Sequence, residues 1–123
     1  MKIVFDTNFF LIPVKFKIDV FAELDRIIEE KYEVFTIEQV VRELRGLTRE
    51  NSRDARAARF GLELLEKKKI KILKTKERDT DRAMEKIDES FVVATLDSEL
   101  RKKLAKKGRK VIYLRAKKYL VLC

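Results

Sequence analysis

Five carboxylates stand where chemistry could be done. Asp6 closes the β-branched and aromatic run Lys2–Phe5, and Asp97 follows the apolar run Phe91–Thr95. Glu43 lies about two turns into a helical stretch, flanked by Val41 and Leu44, and Asp79 and Asp81 open another helix. Carboxylates drawn together repel one another and stay ionised only beside a cation. Hard divalent ions such as Mg²⁺ or Mn²⁺ take oxygen ligands and suit such a cluster. Little else is open to this chain, whose 123 residues include no histidine and one cysteine, Cys123. That excludes an imidazole base or ligand, a Ser-His-Asp triad, a thiolate zinc site and a disulfide framework.

Each acid also has a plain structural use. Asp6 can form an Asx turn, Asp97 and Asp79 (or Thr80) can cap helices, and Glu43 can pair with Arg42 or Arg45. Convergence of several acids on one place is what favours chemistry, so the elements that carry them matter. Strand signals fall at Lys2–Phe5, Tyr32–Phe35, Ile70–Leu73, Phe91–Thr95 and Val111–Leu114. Between them the apolar spacing predicts helices over 17–30, from Thr36 onward, over Arg53–Lys69, over Asp79–Ile87 and over Asp97–Lys107. Thr36 to Gln39 matches a capping box, Asn51-Ser52 offers a cap for the next helix, and Gly108 fits a C′ position. Ala57, Phe60, Leu64 and Leu65 are expected to face inward. Phe9, Phe10, Phe16, Phe21 and Phe35 could serve base stacking but, lying within apolar stretches, read as core.

Strands separated by helices imply parallel pairing through right-handed crossovers. The expected fold is therefore α/β: a three-layer α/β/α sandwich around a mostly parallel five-stranded sheet, as one domain over residues 1–123. Sites in such sheets lie beyond the carboxyl ends of the strands, where the strand order reverses. Asp6 and Asp97 sit at two such ends, and Glu43 and Asp81 lie on helices next to them. Gly46, Gly61 and Gly108 form neither a dinucleotide fingerprint nor a P-loop. A phosphoacceptor receiver site also fails, because Leu73-Lys74-Thr75 carries no acid.

The net charge of +9 is unevenly spread. Residues 98–123 hold ten bases and one acid, Glu99, whereas the preceding residues are balanced. Such asymmetry attracts polyanions, nucleic acid being the usual one. Lys102, Lys103, Lys106 and Lys107 share the helix that starts at Asp97. A second basic stripe runs through Arg42, Arg45, Arg49, Arg53, Arg56 and Arg59, with i,i+4 pairing to Glu38, Glu50, Asp54 and Glu63 as its alternative. No signal peptide or membrane span is legible, so the expected location is cytoplasmic, with no membrane partner.

Several segments resemble the PIN-domain nucleases. The opening Lys2-Ile3-Val4-Phe5-Asp6-Thr7-Asn8-Phe9 is similar to that family's first motif, and Val41-Arg42-Glu43-Leu44 to its second. Thr80-Asp81-Arg82-Ala83-Met84 resembles the third, and Val92 to Leu100, with Thr95-Leu96-Asp97, the fourth. The ending, Val111-Ile112-Tyr113-Leu114-Arg115 followed by Tyr119-Leu120, is most like the archaeal and eukaryotic members that process ribosomal RNA.

The resemblance implies sheet order 3-2-1-4-5 and an acidic cluster of Asp6, Glu43, Asp81 and Asp97, acting as catalytic groups and metal ligands. Asn8 and Thr95 would be polar support, and one or two Mg²⁺ or Mn²⁺ ions the cofactor. RNA would be the substrate, held by Lys102, Lys103, Lys106, Lys107, Arg45 and Arg49. The implied activity is that of a metal-dependent endoribonuclease in rRNA processing or RNA turnover. The alternatives are a toxin of the VapC type and a non-catalytic RNA-binding module. A homodimer, an antitoxin and a ribosome-assembly protein are the partners compatible with the family. Leu96 departs from the pattern, which has Asn before the last Asp.

Overall fold

The computed structural model describes residues 1–51 and 53–123. Its elements run β1 (Lys2–Phe5), α1 (Thr7–Phe10), α2 (Ile12–Phe16), α3 (Val20–Ile27), β2 (Glu33–Ile37), α4 (Glu38–Arg49) and α5 (Ala55–Lys67). The second half continues with β3 (Lys71–Leu73), α6 (Thr80–Lys86), β4 (Phe91–Ala94), α7 (Ser98–Lys106), β5 (Val111–Arg115) and β6 (Tyr119–Leu122). They build one six-stranded sheet in the order β3-β2-β1-β4-β5-β6. The first five strands are parallel and β6 is antiparallel to β5. The expected α/β sheet and its 3-2-1-4-5 order are therefore present, with one strand added.

The chain moves outward from β1 to β2 and β3, then crosses to β4 and β5 on the other side. Right-handed crossovers in opposite directions put α1–α5 on one face and α6 and α7 on the other. Contacts agree with that division: α5 packs on α2 and α4, and α6 packs on α7. Central β1 is apolar on both sides, with Ile3, Val4 and Phe5 fully buried, because each face of the sheet is covered. Phe5 stacks at a tilt on Phe9, 4.6 Å between centroids, and meets Phe10 edge-on at 5.3 Å. Gly61 lets α5 approach α1 closely, since a Cβ there would lie 3.0 Å from both Cβ and the carbonyl oxygen of Phe10.

Several local expectations are corrected. Thr36 lies within β2 instead of capping α4, and its hydroxyl donates to the Phe5 carbonyl at 2.8 Å across the parallel pair. Ile37 takes the N-cap position with no side-chain bond, and Gln39 reaches out to Thr75 and the Glu77 carbonyl. Asp54 is the N-cap residue of α5. Of the expected Asn51-Ser52 cap, Ser52 lies outside the described residues. Phe60 does not face inward, being 42% exposed. The helix expected over 17–30 is limited to α3, because Asp19 caps it and Lys17 adopts a left-handed conformation just before. Gly108, in contrast, does follow the C-cap of α7 with φ +73°, as expected.

The sixth strand follows a tight turn. Ala116 and Lys117 both have φ 55°, and the Lys118 N–H donates to the Arg115 carbonyl at 3.1 Å. This is the primed turn that matches strand twist, made here without the Asn-Gly that usually announces it. β6 forms one edge of the sheet. At Leu120 that edge is met by α3: Glu23 accepts the Leu120 N–H at 2.9 Å, and Arg26 donates to its carbonyl at 3.0 Å. Glu23 and Arg26 are themselves paired at 3.0 Å.

Candidate active site

The carboxyl ends of β1 and β4 lie side by side where the sheet order reverses, and a cleft of about 480 Å³ opens there. Asp6, Asn8, Glu43, Asp81 and Asp97 all line it. The structure thus brings together all four expected acids and one of the two expected polar residues. Thr95, the other, is fully buried behind Asp6.

Asp6 is 5% exposed and is held from two sides. Its Oδ1 accepts the Thr7 N–H at 2.9 Å, and its Oδ2 accepts the Thr95 hydroxyl at 2.7 Å. Asp6 thus stands at the N-cap of α1 and bonds the next N–H, not the one two residues on, so the expected Asx turn is not formed. Burial pushes the Asp6 carboxyl above its usual value, the Thr95 and Thr7 bonds pull it down, and Asp81 and Glu43 add repulsion. Asp97 likewise serves twice. It caps α7 through Oδ1, which accepts from the N–H groups of Glu99 at 2.9 Å and Leu100 at 3.3 Å. Its own N–H donates to the Thr95 hydroxyl at 3.0 Å.

Glu43, on α4, pairs with neither Arg42 nor Arg45 among the described residues. It accepts the Thr7 hydroxyl at one oxygen and the Thr80 hydroxyl, at 2.6 Å, at the other. Of the two acids near α6, Asp79 caps the helix by accepting the Arg82 N–H at 3.2 Å, whereas Asp81 lines the cleft. Asp81 is exposed, yet its carboxyl is raised by desolvation and by Asp97, Asp79 and Glu43; Lys103 opposes them.

Thr7 and Thr80 are residues that sequence reasoning passed over as site members. Their signal was faint, since a threonine beside a cap position reads as a cap. Glu50 and Asp54 extend the acidic lining, with Asp54 also paired to Lys15 at 3.2 Å.

The donor chemistry fits a hard divalent cation. Every polar lining group offers oxygen or a carboxamide, and, besides the desolvation that raises Asp6 and Asp81, the neighbouring acids repel them, a repulsion that a bound cation would relieve. Among the described residues no three acids already converge on one ligand position. Thr7 and Thr80 draw Glu43 aside, and the α7 backbone holds one oxygen of Asp97. Mg²⁺ sites commonly use one or two carboxylates and keep several waters, so this arrangement remains suitable.

The expected basic contacts divide. Lys102, Lys103 and Lys106 are exposed on α7 and Lys107 at its C-cap, but Lys107 pairs with Glu85 at 3.4 Å. Lys103 is the one close enough to Asp81 to act on its charge. Arg45 and Arg49 are exposed on α4, and no ion pair ties the α4–α5 arginine stripe among the described residues. No helix among the described residues is long and apolar enough to cross a membrane.

A mostly parallel sheet with an acid-lined cleft at its switch point defines a class, and comparison with known proteins places the chain within it. Residues 3–117 match the family described as PIN like domain, and the chain belongs to that family. It is 33% identical over 124 aligned residues to ribonuclease VapC4 of Methanocaldococcus jannaschii, covering 96% of this chain and 93% of that protein. It is also similar in fold to the PIN domain endonuclease Utp24, with a TM-score of 0.74 at 22% identity. That likeness covers 98% of this chain and 90% of the solved one.

Proposed function

We propose that the protein is a metal-dependent endoribonuclease working at the Asp6–Glu43–Asp81–Asp97 cleft. The observation that carries this reading is the meeting of those four acids in one cleft at the switch point of the sheet. Asp6 and Asp97 would be the direct ligands of Mg²⁺ or Mn²⁺, with Glu43 and Asp81 beside them. The bound ion supplies activation of water and charge stabilisation on the phosphate.

The chain's own residues account for the rest. Thr95 joins Asp6 to the backbone of Asp97 and sets the spacing of the two strand ends. Thr7 and Thr80 hold both oxygens of Glu43, which limits its rotamers. Asn8 is exposed at the cleft and can donate its amide to a phosphate oxygen. The exposed lysines of α7 start one turn from Asp97 and would hold the RNA backbone.

Processing of ribosomal RNA, or general RNA turnover, is the role the family resemblance favours. The VapC relative supports a second reading, a toxin ribonuclease held by an antitoxin. Cleavage of total RNA with Mn²⁺ or Mg²⁺, comparing the wild type with Asp6→Asn/Asp97→Asn, tests the activity. Cleavage that needs the ion and vanishes in the double variant is expected. Unchanged cleavage by the variant would overturn the proposal.

A further inference from the structure

We infer that the exposed face of the β5–β6 hairpin beside α7 is a stacking ledge for single-stranded RNA, an extension of the acidic cleft. The inference rests on the proposed ribonuclease reading and adds the surface, outside the cleft, that would hold the RNA.

The register defines the face. Tyr113 lies opposite Val121, Arg115 opposite Tyr119, and Val111 exchanges backbone bonds with Cys123. Side chains alternate along a strand and cross-strand partners share a side, so Tyr113, Arg115 and Tyr119 project together. The α7 helix covers the Val111 end, where Arg101, Lys102, Ala105 and Tyr113 border a hollow of about 260 Å³. Beyond it the face is open, and Tyr119 is 40% exposed.

What projects there is chemically unusual for a solvated sheet. The Arg101 guanidinium lies 4.2 Å from the Tyr113 ring centroid, and that of Arg115 5.6 Å from it. Arg115 also donates to the Tyr113 hydroxyl at 2.6 Å. Neither arginine has a carboxylate partner among the described residues, and Glu99 is the one acid in residues 98–123. Their charge is answered by an aromatic face instead of a counter-ion. Guanidinium planes and tyrosine rings are surfaces on which unpaired bases stack, while the same cations hold the phosphates. An acidic peptide would satisfy the charges but would leave the flat π surfaces without a matching partner.

Position links the ledge to the cleft. β4 and β5 are parallel neighbours, so Arg115 ends its strand on the same edge of the sheet as Asp97. Arg101 is one turn beyond Asp97 on α7, about 6 Å along the axis. A strand leaving the acids across the start of α7 therefore meets Arg101 first, then Tyr113 and Tyr119.

The test measures binding of a fluorescein-labelled oligouridylate of about 20 nucleotides by anisotropy, in EDTA so that no cleavage intervenes. Tyr119→Ala is expected to weaken binding about tenfold with an unchanged salt slope, and Tyr119→Phe to bind as the wild type. Arg115→Gln and Arg101→Gln should weaken binding and each lower the log–log salt slope by about one. Wild-type affinity in Tyr119→Ala and Arg115→Gln would overturn the ledge. So would equal affinities of Tyr119→Ala and Tyr119→Phe with polyglutamate competing as well as RNA, the behaviour of a bare polyanion surface. Cleavage of the same RNA with Mn²⁺ separates the two readings. Hairpin-dependent binding without cleavage sinks the nuclease and keeps the ledge, whereas cleavage with indifferent hairpin variants sinks the ledge alone.

Discussion

The Thr95 hydroxyl donates to Asp6 at 2.7 Å although 89 positions separate the two residues in the chain. The same oxygen accepts the N–H of Asp97 at 3.0 Å, so one fully buried threonine ties together the two strand-end acids. Replacing it with valine keeps the volume but removes both bonds, and one of them lowers the Asp6 carboxyl. Thr95→Val should therefore shift the acid limb of the pH–rate profile for cleavage upward. It should also reduce stability by about 1–3 kcal/mol, because a buried acceptor loses its partner. A pH–rate profile and a urea titration check the two parts separately.

Asp6 itself links stability to pH. Burial raises its folded carboxyl above the ordinary 3.8, so the folded chain holds that proton more tightly than the unfolded one. Its stabilising contribution is then complete below about pH 4 and is lost as pH rises through the raised value. Asp6→Asn removes the ionisation. In the absence of divalent ions it should melt at a higher temperature than the wild type at neutral pH, with the difference closing towards pH 4. A melting difference independent of pH would contradict this account.

Asp97 has two jobs that substitution can separate. Asparagine caps helices as well as aspartate does, whereas alanine loses about 1 kcal/mol at an N-cap. Asp97→Asn should retain wild-type stability and lose cleavage by a hundredfold or more, on the order of one metal ligand or charge-stabilising group. Asp97→Ala should lose both. Equal stability of the two variants by denaturation would show that the cap bonds to Glu99 and Leu100 contribute little.

The α7 lysines should not be equivalent. Lys102 and Lys106 have no ion-pair partner among the described residues, whereas Lys107 is engaged by Glu85. Lys102→Gln and Lys106→Gln should each reduce the salt slope of RNA binding by about one, and Lys107→Gln by clearly less. Anisotropy across a salt series reads all three.

The turn before β6 offers a stabilising change. Lys117 sits at φ 55° without being glycine, a conformation that disfavours side chains by roughly 1–2 kcal/mol. Lys117→Gly should raise stability by about 1 kcal/mol, less the extra freedom it gives the unfolded chain. A melting temperature at or below that of the wild type would refute this expectation.

The alternation of five strands with helices and the acids at the strand ends could be read from the chain because both follow from local pattern, whereas the strand order came with the family resemblance. Apolar runs mark the strands, and an acid directly after a strand is carried to the sheet edge by covalent connection alone. Asp6 and Asp97 belong to this group. The grip of Thr7 and Thr80 on Glu43 was not legible, since it joins residues 36 and 37 positions apart through packing. Thr36 misled for the same reason: β1–β2 pairing supplies the Phe5 carbonyl as an acceptor that no local capping pattern foresees. The sixth strand was hidden by a turn built on Ala116 and Lys117. Phe60 followed helical spacing yet lies outward, because Gly61 and the alanines of α5 make the closer contact.

The salt-bridged pair Glu23 and Arg26 occupies the outward N–H and C=O of Leu120, as a neighbouring strand would. Those two groups, at the middle of the rim, are no longer free to template another polypeptide. The opposite rim, β3, is three residues long and carries Lys71, too short and too charged for stable extension. Both rims of the sheet therefore work against edge-to-edge pairing between copies of this protein. The same arrangement guards the chain against growth into cross-β fibrils, because the side chains of α3 already occupy the place where the first added strand would dock.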